Sequence, residues 1–459
     1  MVHWPEQAID GLAQSVVSHA LDRLSDPDPE LGISVDATDI ADMAGNSISP
    51  EGIGGDEAFR LFAEVIEPSC LAVDHPRFFS FIPAAPTRSS LLADLLLSST
   101  RIYGGSWMEG AGAVYVENQV LRWIADLCGL PEAAGGVFVP GGTNGNLSSM
   151  IAARYAWRQR GAGRHDAVRG VIISSDSVHA SVPQAARAMD CEMVCVPGDD
   201  AGRLCRETLQ RVLRALGNDR DRVFAVVATA GTTNAGVIDD LDAAADAADD
   251  LGCWLHVDGA YGLAAVCSEQ SRGLFAGVER ADSLIVDPHK WLFGPFDSCA
   301  LLYRDPAIAR AAHTQRADYL EVLQSTDDQG TPGWNPSDYA HHLSRRPRGL
   351  PLWFSLASHG TTAYAEAIET TLAVAREGAE LIRSASHLEL LLEPDLTVLV
   401  FRRRGWTHAN YVSWAREVME EGTAVVLPTQ WKGETALRMC IVNPDTTIGD
   451  IKVVVDRLL

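Results

Sequence analysis

The stretch 281–305, ADSLIVDPHKWLFGPFDSCALLYRD, places a lysine between two short apolar runs. The first run, 284–286, leads directly into the residues DPHK, which end at Lys290, and the second run covers 299–303. Both runs have the length and composition of buried β-strands. A lysine is costly to bury unless a partner or a shifted pKa compensates. The pattern therefore predicts that Lys290 lies at a strand end, either as an ordinary surface lysine or as a residue with a chemical role.

The sequence upstream of this stretch alternates between apolar runs rich in β-forming residues and helical patterns. The apolar runs cover 136–139, 171–174, 223–228, 254–257 and 283–286. Short buried strands that alternate with helices are typical of a mostly parallel sheet with helices on both faces. The sequence therefore predicts an α/β fold.

Polar or glycine-rich residues follow each of these runs. The five segments, in chain order, are PGGTNGN, SDSVHAS, TAGTTNAG, DGAYG and DPHKW. In open α/β sheets, ligands bind beyond the carboxyl ends of the strands. We expect the five segments to meet at one edge of the sheet.

Each of these segments, taken alone, also has a structural explanation. The glycines and backbone amides of 141–146 suit an anion at a helix start, but such loops are often only tight turns. Asp258 at a strand end needs a partner, which a helix cap or an ion pair would supply. His179 alone fits a core histidine, and Thr233 alone fits a turn.

The segments together form a more specific set: a phosphate cradle, an aromatic ring, a carboxylate, and a lysine beside a histidine. Pyridoxal phosphate requires these groups. Its aldehyde bonds to a lysine, its ring nitrogen needs a carboxylate to stay protonated, and its phosphate needs backbone donors.

The sequence resembles the group II pyridoxal-phosphate decarboxylases, the family of aromatic-L-amino-acid, histidine and glutamate decarboxylases. The resemblance runs from HPRFFSFIPA (75–84) to LRMCIVNPDTT (437–447), and HVDGAYG (256–262) and DPHKW (287–291) are its most specific motifs. It implies the fold-type I architecture of pyridoxal-phosphate-dependent transferases and decarboxylation of an L-amino acid to the amine and carbon dioxide.

The resemblance also implies roles for individual residues. The lysine that forms the Schiff base in this family matches Lys290, so a covalent bond to the cofactor rather than an ion pair would hold it. The phosphate would contact Gly142, Thr143 and His289. Asp258 would pair with the ring nitrogen, and Thr233 would lie beside the ring. His179 and Ala260 would pack on its two faces.

The proton donor and the substrate pocket are less well defined. Tyr339, in SDYAHHLSRR, is the tyrosine whose context best matches a mobile-loop proton donor; Tyr319 is the second choice, and a packing role is equally open for both. Aromatic-specific relatives have large rings where this chain has Ile82 and 104–105, so the substrate stays open. Nearby, Arg345, Arg346 and Arg348 fit an interface, a substrate carboxylate or a structural role.

Composition limits the other functional classes. The 459 residues carry a net charge of −24, which disfavours nucleic acid and anionic membranes as partners. No apolar run is long enough to cross a membrane, and no signal peptide is recognisable. The nine cysteines, exemplified by Cys195, Cys253 and Cys440 in apolar runs, indicate buried reduced thiols and no metal site. We therefore expect a cytoplasmic protein.

Three segments are expected: an N-terminal helical dimerisation segment (1–75), a large cofactor-binding domain (76–350) and a small C-terminal α/β domain (351–459). Residues 8–24 predict an amphipathic helix whose apolar face needs a partner. The resemblance implies a homodimer with the active site at the interface. Two alternatives stay open: an aldehyde synthase or another lyase or transaminase with the same cofactor, and a catalytically silent binding subunit.

Overall fold

The computed structural model describes residues 6–26, 29–32, 34–161, 167–324 and 333–459. Helices alone form the described N-terminal part, up to the first strand. They are α1 (Glu6–Ser25), α2 (Ala37–Ala44), α3 (Gly55–Leu61), which continues as a π-helical turn (Phe62–Ile66), α4 (Arg88–Thr100) and α5 (Trp107–Leu127).

A seven-stranded sheet forms the centre of the molecule. Its strands are β1 (Gly135–Val139), β2 (Val171–Ser175), β3 (Glu192–Val196), β4 (Val223–Thr229), β5 (Trp254–Asp258), β6 (Ser283–Val286) and β7 (Cys299–Tyr303). The strand order is β1-β7-β6-β5-β4-β2-β3, and only β7 runs antiparallel to its neighbours. The mostly parallel sheet predicted from the sequence is confirmed.

Helices cover both faces of this sheet. They are α6 (Gly142–Arg160), α7 (Ser181–Ala188), α8 (Arg206–Ala215), α9 (Leu241–Leu251) and α10 (Pro306–His313), with 3₁₀ turns at 217–222, 262–267, 272–275, 278–280, 318–324 and 336–338. Ile173 and Val226 belong to the apolar cluster on one face, and Ile172 and Val227 to the cluster on the other. Burial on both faces explains why the central strands are continuous apolar runs.

The edge strand β3 was not predicted from the sequence. It pairs only with β2, and most of its side chains are partly exposed. Cys195 lies on this edge and is exposed, so the expectation that it is a buried thiol is wrong. Cys253 and Cys440 are buried as expected, and all nine cysteines are unpaired.

A second, antiparallel sheet forms the C-terminal part. A long helix, α11 (Leu350–Ser384), leads to it and is broken at Gly360, where φ is +77°. The remaining elements are β8 (Leu388–Leu390), β9 (Val398–Arg403), α12 (His408–Glu420), β10 (Pro428–Trp431), β11 (Glu434–Cys440) and α13 (Ile448–Asp456), with strand order β10-β11-β9-β8. The N-terminal segment also packs here, because Phe79 lies in this apolar core and its carbonyl accepts from the Cys440 amide at 2.9 Å.

Helix α1 confirms the predicted N-terminal helix but leaves apolar side chains in solvent. Val16, Val17 and Leu21 are 45%, 43% and 48% exposed. No helix among the described residues is both long and apolar enough to cross a bilayer.

Candidate active site

The carboxyl ends of β1, β2, β4, β5 and β6 border one cavity of about 260 Å³. The strand-end segments therefore converge as the sequence predicts. The predicted residues that line the cavity are Gly142, Thr143, His179, Thr233, Asp258, Ala260, His289 and Lys290.

Lys290 makes an ion pair in this cavity. Its Nζ lies 3.0 Å from Oδ2 of Asp287, which is 1% exposed. Burial lowers the pKa of Lys290, but the negative charges of Asp287 and Asp258 outweigh burial, so the pKa is raised overall. A carboxylate three residues earlier thus compensates the partial burial of Lys290, and the expected covalent bond to the cofactor stays a prediction.

Asp287 is a site residue that sequence reasoning missed, although it directly follows β6 in the opening stretch. Its Oδ1 is buried and has no hydrogen-bond partner among the described residues. Its Oδ2 would lie 3.2 Å from a Cβ on Gly142, so the carboxylate borders the start of α6. The signal was available in the sequence, since an acidic residue three positions before a buried lysine is a natural partner.

Asp258 is buried at the end of β5 and accepts two hydrogen bonds. The donors are Nδ2 of Asn146, at 2.9 Å, and the amide of Ala260, at 3.2 Å. Both of its oxygens therefore have a hydrogen-bond donor within the chain. Asn146 is a second residue that the sequence analysis missed, because it lies one turn inside α6 rather than at a strand end.

Both cavity histidines have a backbone amide that donates to Nδ1. The donor to His289 is the Ser298 amide, at 3.0 Å, and the donor to His179 is the Ser181 amide, at 3.2 Å. An Nδ1 that accepts carries no proton, so the ring proton is on Nε2 in both residues. Burial, the largest cause, lowers the pKa of His289 and favours its neutral form.

The start of α6 provides an anion site. The first amides of a helix have no intrahelical acceptor, and the helix dipole favours negative charge there. A side chain at Gly142 would approach Ala260 and Ile285 to 3.3 Å, and one at Gly145 would approach Ile285 to 2.8 Å, so the glycines keep the cradle open. With the orphaned Oγ1 of Thr229 at the same cavity, these donors fit a phosphorylated ring aldehyde.

Neither tyrosine named as a proton donor borders this cavity. Tyr339 is 4% exposed and stacks on Trp334, with ring centroids 4.2 Å apart, and burial raises the pKa of Tyr339 to about 12. Tyr319 is 72% exposed in the 3₁₀ turn that precedes residues 325–332. Residues 325–332, which connect the turn of Tyr319 to the segment of Tyr339, lie outside the described residues.

The residues expected to shape the substrate pocket also lie outside this cavity. Ile82 is buried in the main apolar core. A Cβ on Gly104 would lie 2.8 Å from the Pro347 nitrogen, and one on Gly105 would lie 2.5 Å from the hydroxyl of Tyr103. Local packing therefore explains both glycines.

The three arginines of 345–348 are each paired with a carboxylate of the same chain. Arg345 contacts Glu117, Arg346 contacts Asp94 and Arg348 contacts Asp297. These contacts favour the structural alternative for all three.

The chain resembles known proteins over most of its length. Residues 56–404 match the family model described as the pyridoxal-dependent decarboxylase conserved domain. The chain is 29% identical over 428 residues to aromatic-L-amino-acid decarboxylase from Bacillus atrophaeus, which covers 91% of this chain and 88% of that protein. It is 28% identical to L-2,4-diaminobutyrate decarboxylase from Acinetobacter baumannii, with 90% and 84% covered.

Solved structures share the fold at lower identity. The crystal structure of Oryza sativa TDC with PLP and tryptamine superposes with a TM-score of 0.91 at 22% identity, over 99% of this chain and 97% of that chain. Rhodiola rosea 4-hydroxyphenylacetaldehyde synthase superposes with a TM-score of 0.87 at 21% identity, over 99% and 97%.

Proposed function

The chain belongs to the pyridoxal-dependent decarboxylase family, and we propose that the cavity at the ends of β1, β2, β4, β5 and β6 is its active site. The enzyme uses pyridoxal phosphate to decarboxylate an amino acid to the amine and carbon dioxide. The substrate side chain is not defined by this family membership, because the two relatives above are named for an aromatic acid and for diaminobutyrate.

When bound, pyridoxal phosphate supplies an aldehyde for a lysine amine and a ring that accepts the electrons released with carbon dioxide. We assign the amine to Lys290, which is the only cavity lysine. Asp258 holds a proton on the ring nitrogen, since an adjacent carboxylate favours the charged form. The two hydrogen bonds that Asp258 accepts support this role.

The remaining cavity residues bind and orient the cofactor. The amides of Gly142 and Thr143 and the Nε2 proton of His289 donate to the phosphate. His179 and Ala260 would hold the ring from its two faces, and Thr233 would lie beside it. The exposed position of His179 and its shared cavity with Ala260 support this arrangement.

A tyrosine delivers the proton that replaces the carboxylate. Tyr339 was the first choice from its sequence context, but its burial against Trp334 favours a packing role. Tyr319 is exposed and adjoins the loop, so we assign the proton to its hydroxyl.

The functional unit is a homodimer with the active site at the interface. The exposed apolar residues of α1 support a partner surface. Neither of the two candidate proton donors, Tyr319 and Tyr339, borders the cavity of its own chain. We place the enzyme in the cytoplasm, because buried single thiols such as Cys253 suit a reducing compartment.

The single observation that carries the assignment is the position of the Lys290 amine, 3.0 Å from Asp287 in the cavity that Asp258 and the anion cradle also line. The chain has only two other lysines, Lys432 and Lys452. Borohydride reduction of the enzyme loaded with pyridoxal phosphate should label the peptide that contains Lys290. Lys290→Arg should take no label, whereas the matched control Lys432→Arg should label like the parent.

A label on Lys432 or Lys452 in the parent would overturn the assignment. A separate sample of the enzyme, loaded with pyridoxal phosphate but not reduced, should be screened against the common amino acids for carbon dioxide, amine, aldehyde, ammonia and peroxide. Carbon dioxide and amine in equal amounts support the decarboxylase. Aldehyde with ammonia would support the synthase, and no turnover of any amino acid would support the silent subunit.

A further inference from the structure

A chain of buried hydrogen bonds runs from the cavity wall into the sheet behind Asp258. Asn146 is at its centre and is 1% exposed. Its amide nitrogen lies 2.8 Å from Oγ of Ser181 and 2.9 Å from Oδ2 of Asp258. Its amide oxygen lies 2.8 Å from Nε2 of His256, which is fully buried. None of the roles assigned above uses Asn146 or His256.

The orientation of the Asn146 amide is determined by its neighbours. A flipped amide would place its oxygen against the carboxylate of Asp258, where two acceptors would repel each other. The nitrogen therefore donates one proton to Asp258 and the other to the Ser181 hydroxyl oxygen. The amide oxygen is left to accept from His256.

His256 consequently carries its proton on Nε2. Burial lowers the pKa of His256 to about 4, so the ring is neutral at physiological pH and Nδ1 has no proton. Nδ1 lies 2.8 Å from Oγ of Ser283 and 3.0 Å from Oγ of Ser149, and the two hydroxyl oxygens are 2.6 Å apart. The Ser283 hydroxyl also accepts from the indole nitrogen of Trp254 at 2.7 Å, and either serine hydroxyl can donate to the bare Nδ1 of His256.

The other end of the chain gives the same polarity independently. The Ser181 amide donates to Nδ1 of His179, which therefore has no proton. The Ser181 hydroxyl, 2.8 Å from the same Nδ1, must then donate to it and has its lone pairs available for Asn146. From His256 through Asn146 and Ser181 to His179, every hydrogen bond therefore donates in one direction.

We propose that Asn146 and His256 are positioning residues: they orient the Ser181 hydroxyl to donate to His179, which reinforces the tautomer that the Ser181 amide favours, and they keep a donating amide on Asp258. One buried amide thereby couples the residue proposed to stack on the cofactor ring to the residue proposed to pair with its protonated nitrogen. The proposal rests on the proposed roles of His179 and Asp258, but the tautomer it describes belongs to the protein without cofactor.

The first test is the nitrogen-15 NMR spectrum of the apoprotein labelled in its histidine rings, with His179 assigned from its loss in His179→Gln. His179 should show a protonated Nε2 and a bare Nδ1. In Asn146→Ala, the Ser181 hydroxyl oxygen loses the amide that donates to it, so its proton is no longer directed to His179. The ring resonances of His179 should then shift. A parent His179 with its proton on Nδ1, or a His179 spectrum unaffected by Asn146→Ala, would overturn the proposal.

The second test uses conservative rescue at His256. His256→Gln retains an N–H donor for Asn146, whereas His256→Leu removes it. Apoprotein titrated with pyridoxal phosphate should bind about tenfold more weakly in His256→Leu, as expected for a lost hydrogen bond that supports a charged group, and nearly normally in His256→Gln. His313→Leu is the matched control. Burial also lowers the pKa of His313 to about 4, and its Nε2 contacts the Ser148 carbonyl, which is not part of the hydrogen-bond series described above.

The proposal would be contradicted if His256→Leu and His256→Gln lost the same affinity for pyridoxal phosphate, or if His313→Leu lost as much as His256→Leu. Either result would mean that the loss comes from disturbed packing. The parent spectrum decides the tautomer even if a variant does not fold. A correct tautomer in a protein that takes no cofactor on Lys290 would refute the proposed function and leave this inference standing.

Discussion

Asp287 is the carboxylate that contacts the Lys290 amine. Its carboxylate, 3.0 Å from the amine, contributes to a raised pKa of Lys290 despite the opposing effect of burial. Only the neutral amine bonds to an aldehyde, so a raised pKa leaves little reactive amine at neutral pH. Asp287 also places negative charge beside the phosphate cradle. Both effects should slow cofactor loading.

Asp287→Asn should therefore load faster at neutral pH. Removing one negative charge while burial persists lowers the pKa of Lys290, so a larger fraction of the amine is neutral at a given pH. The rise of the loading rate with pH should move to lower pH. Stopped-flow absorbance after apoprotein is mixed with pyridoxal phosphate measures this rate across the neutral and alkaline range.

Asp305→Asn serves as the control for this experiment. Asp305 caps α10 by accepting from the Ala307 amide, a role that asparagine also fills. Its loading profile should match the parent. Slower loading in Asp287→Asn at every pH would show instead that the carboxylate helps to orient the amine.

The proposed proton donor gives a second prediction at this scale. Tyr319→Phe should still release carbon dioxide but form amine about 100-fold more slowly, since general acids contribute about that factor. In air, aldehyde, ammonia and peroxide should replace the missing amine. The product ratio is measured by chromatography alongside carbon dioxide release.

Tyr339→Phe is the matched variant for this test. Its ring stacks on Trp334 either way, so the ratio of amine to carbon dioxide should equal that of the parent. A normal ratio in Tyr319→Phe with a reduced one in Tyr339→Phe would restore the first choice made from the sequence. A parent that already produces aldehyde would favour the aldehyde synthase.

At the scale of elements, the sequence predicted those strands that are buried on both faces. Central strands such as β4 are continuous apolar runs and carry their own signal. The edge strand β3 has only one neighbour and mixed burial, so no such run marks it. The antiparallel direction of β7 depends on its partners β1 and β6, which a local pattern does not specify.

Site residues that the sequence revealed carry a local signal, whereas most of those it did not reveal depend on tertiary contacts. Asp258 ends β5 and Lys290 lies four residues after β6, at the edge where parallel topology brings residues together. The contact of Asn146 with Asp258 depends on a distance across the cavity, whereas the spacing of Asp287 and Lys290 was a local signal that the sequence analysis did not use. The burial of Tyr339 depends on Trp334, five residues earlier, whose stacked position follows from tertiary packing.

A buried ion pair joins α5 to the segment before α11 and gives a prediction for stability. Arg345 is bidentate to Glu117, with nitrogen–oxygen distances of 2.7 and 2.8 Å, and the Gly349 amide also donates to Glu117. Glu117→Gln leaves a buried guanidinium uncompensated. The free energy of unfolding should fall by about 3 kcal/mol, measured by urea denaturation of the apoprotein.

The partly exposed pair of Arg346 and Asp94 supplies the comparison. Arg346→Gln should change the free energy of unfolding by less than about 1 kcal/mol, because solvent screens the pair. Similar losses in the two variants would mean that burial does not distinguish the two pairs.

At the scale of the whole molecule, the N-terminal part exposes apolar surface that a single chain does not cover. Ile48, Met43 and Phe62 are 88%, 51% and 46% exposed, in addition to the apolar residues of α1. Exposed large apolar side chains concentrated in one part of a chain are typical of interaction sites. A second copy of the chain would bury it, in agreement with the proposed homodimer.

The double variant Val17→Asp/Leu21→Asp should therefore dissociate. Two charges on the exposed apolar side of α1 are costly to bury against a partner but harmless on a monomer, where both positions are already 43% and 48% exposed. Sedimentation equilibrium should give about twice the chain mass of 49.4 kDa for the parent and one chain mass for the variant. Decarboxylation should be lost with the dimer if the site is completed at the interface.

The control is Val412→Asp. Val412 is 39% exposed on α12, and this variant should leave both mass and activity unchanged. A dimeric double variant, or an active monomer, would show that α1 does not form the interface or that one chain holds a complete site.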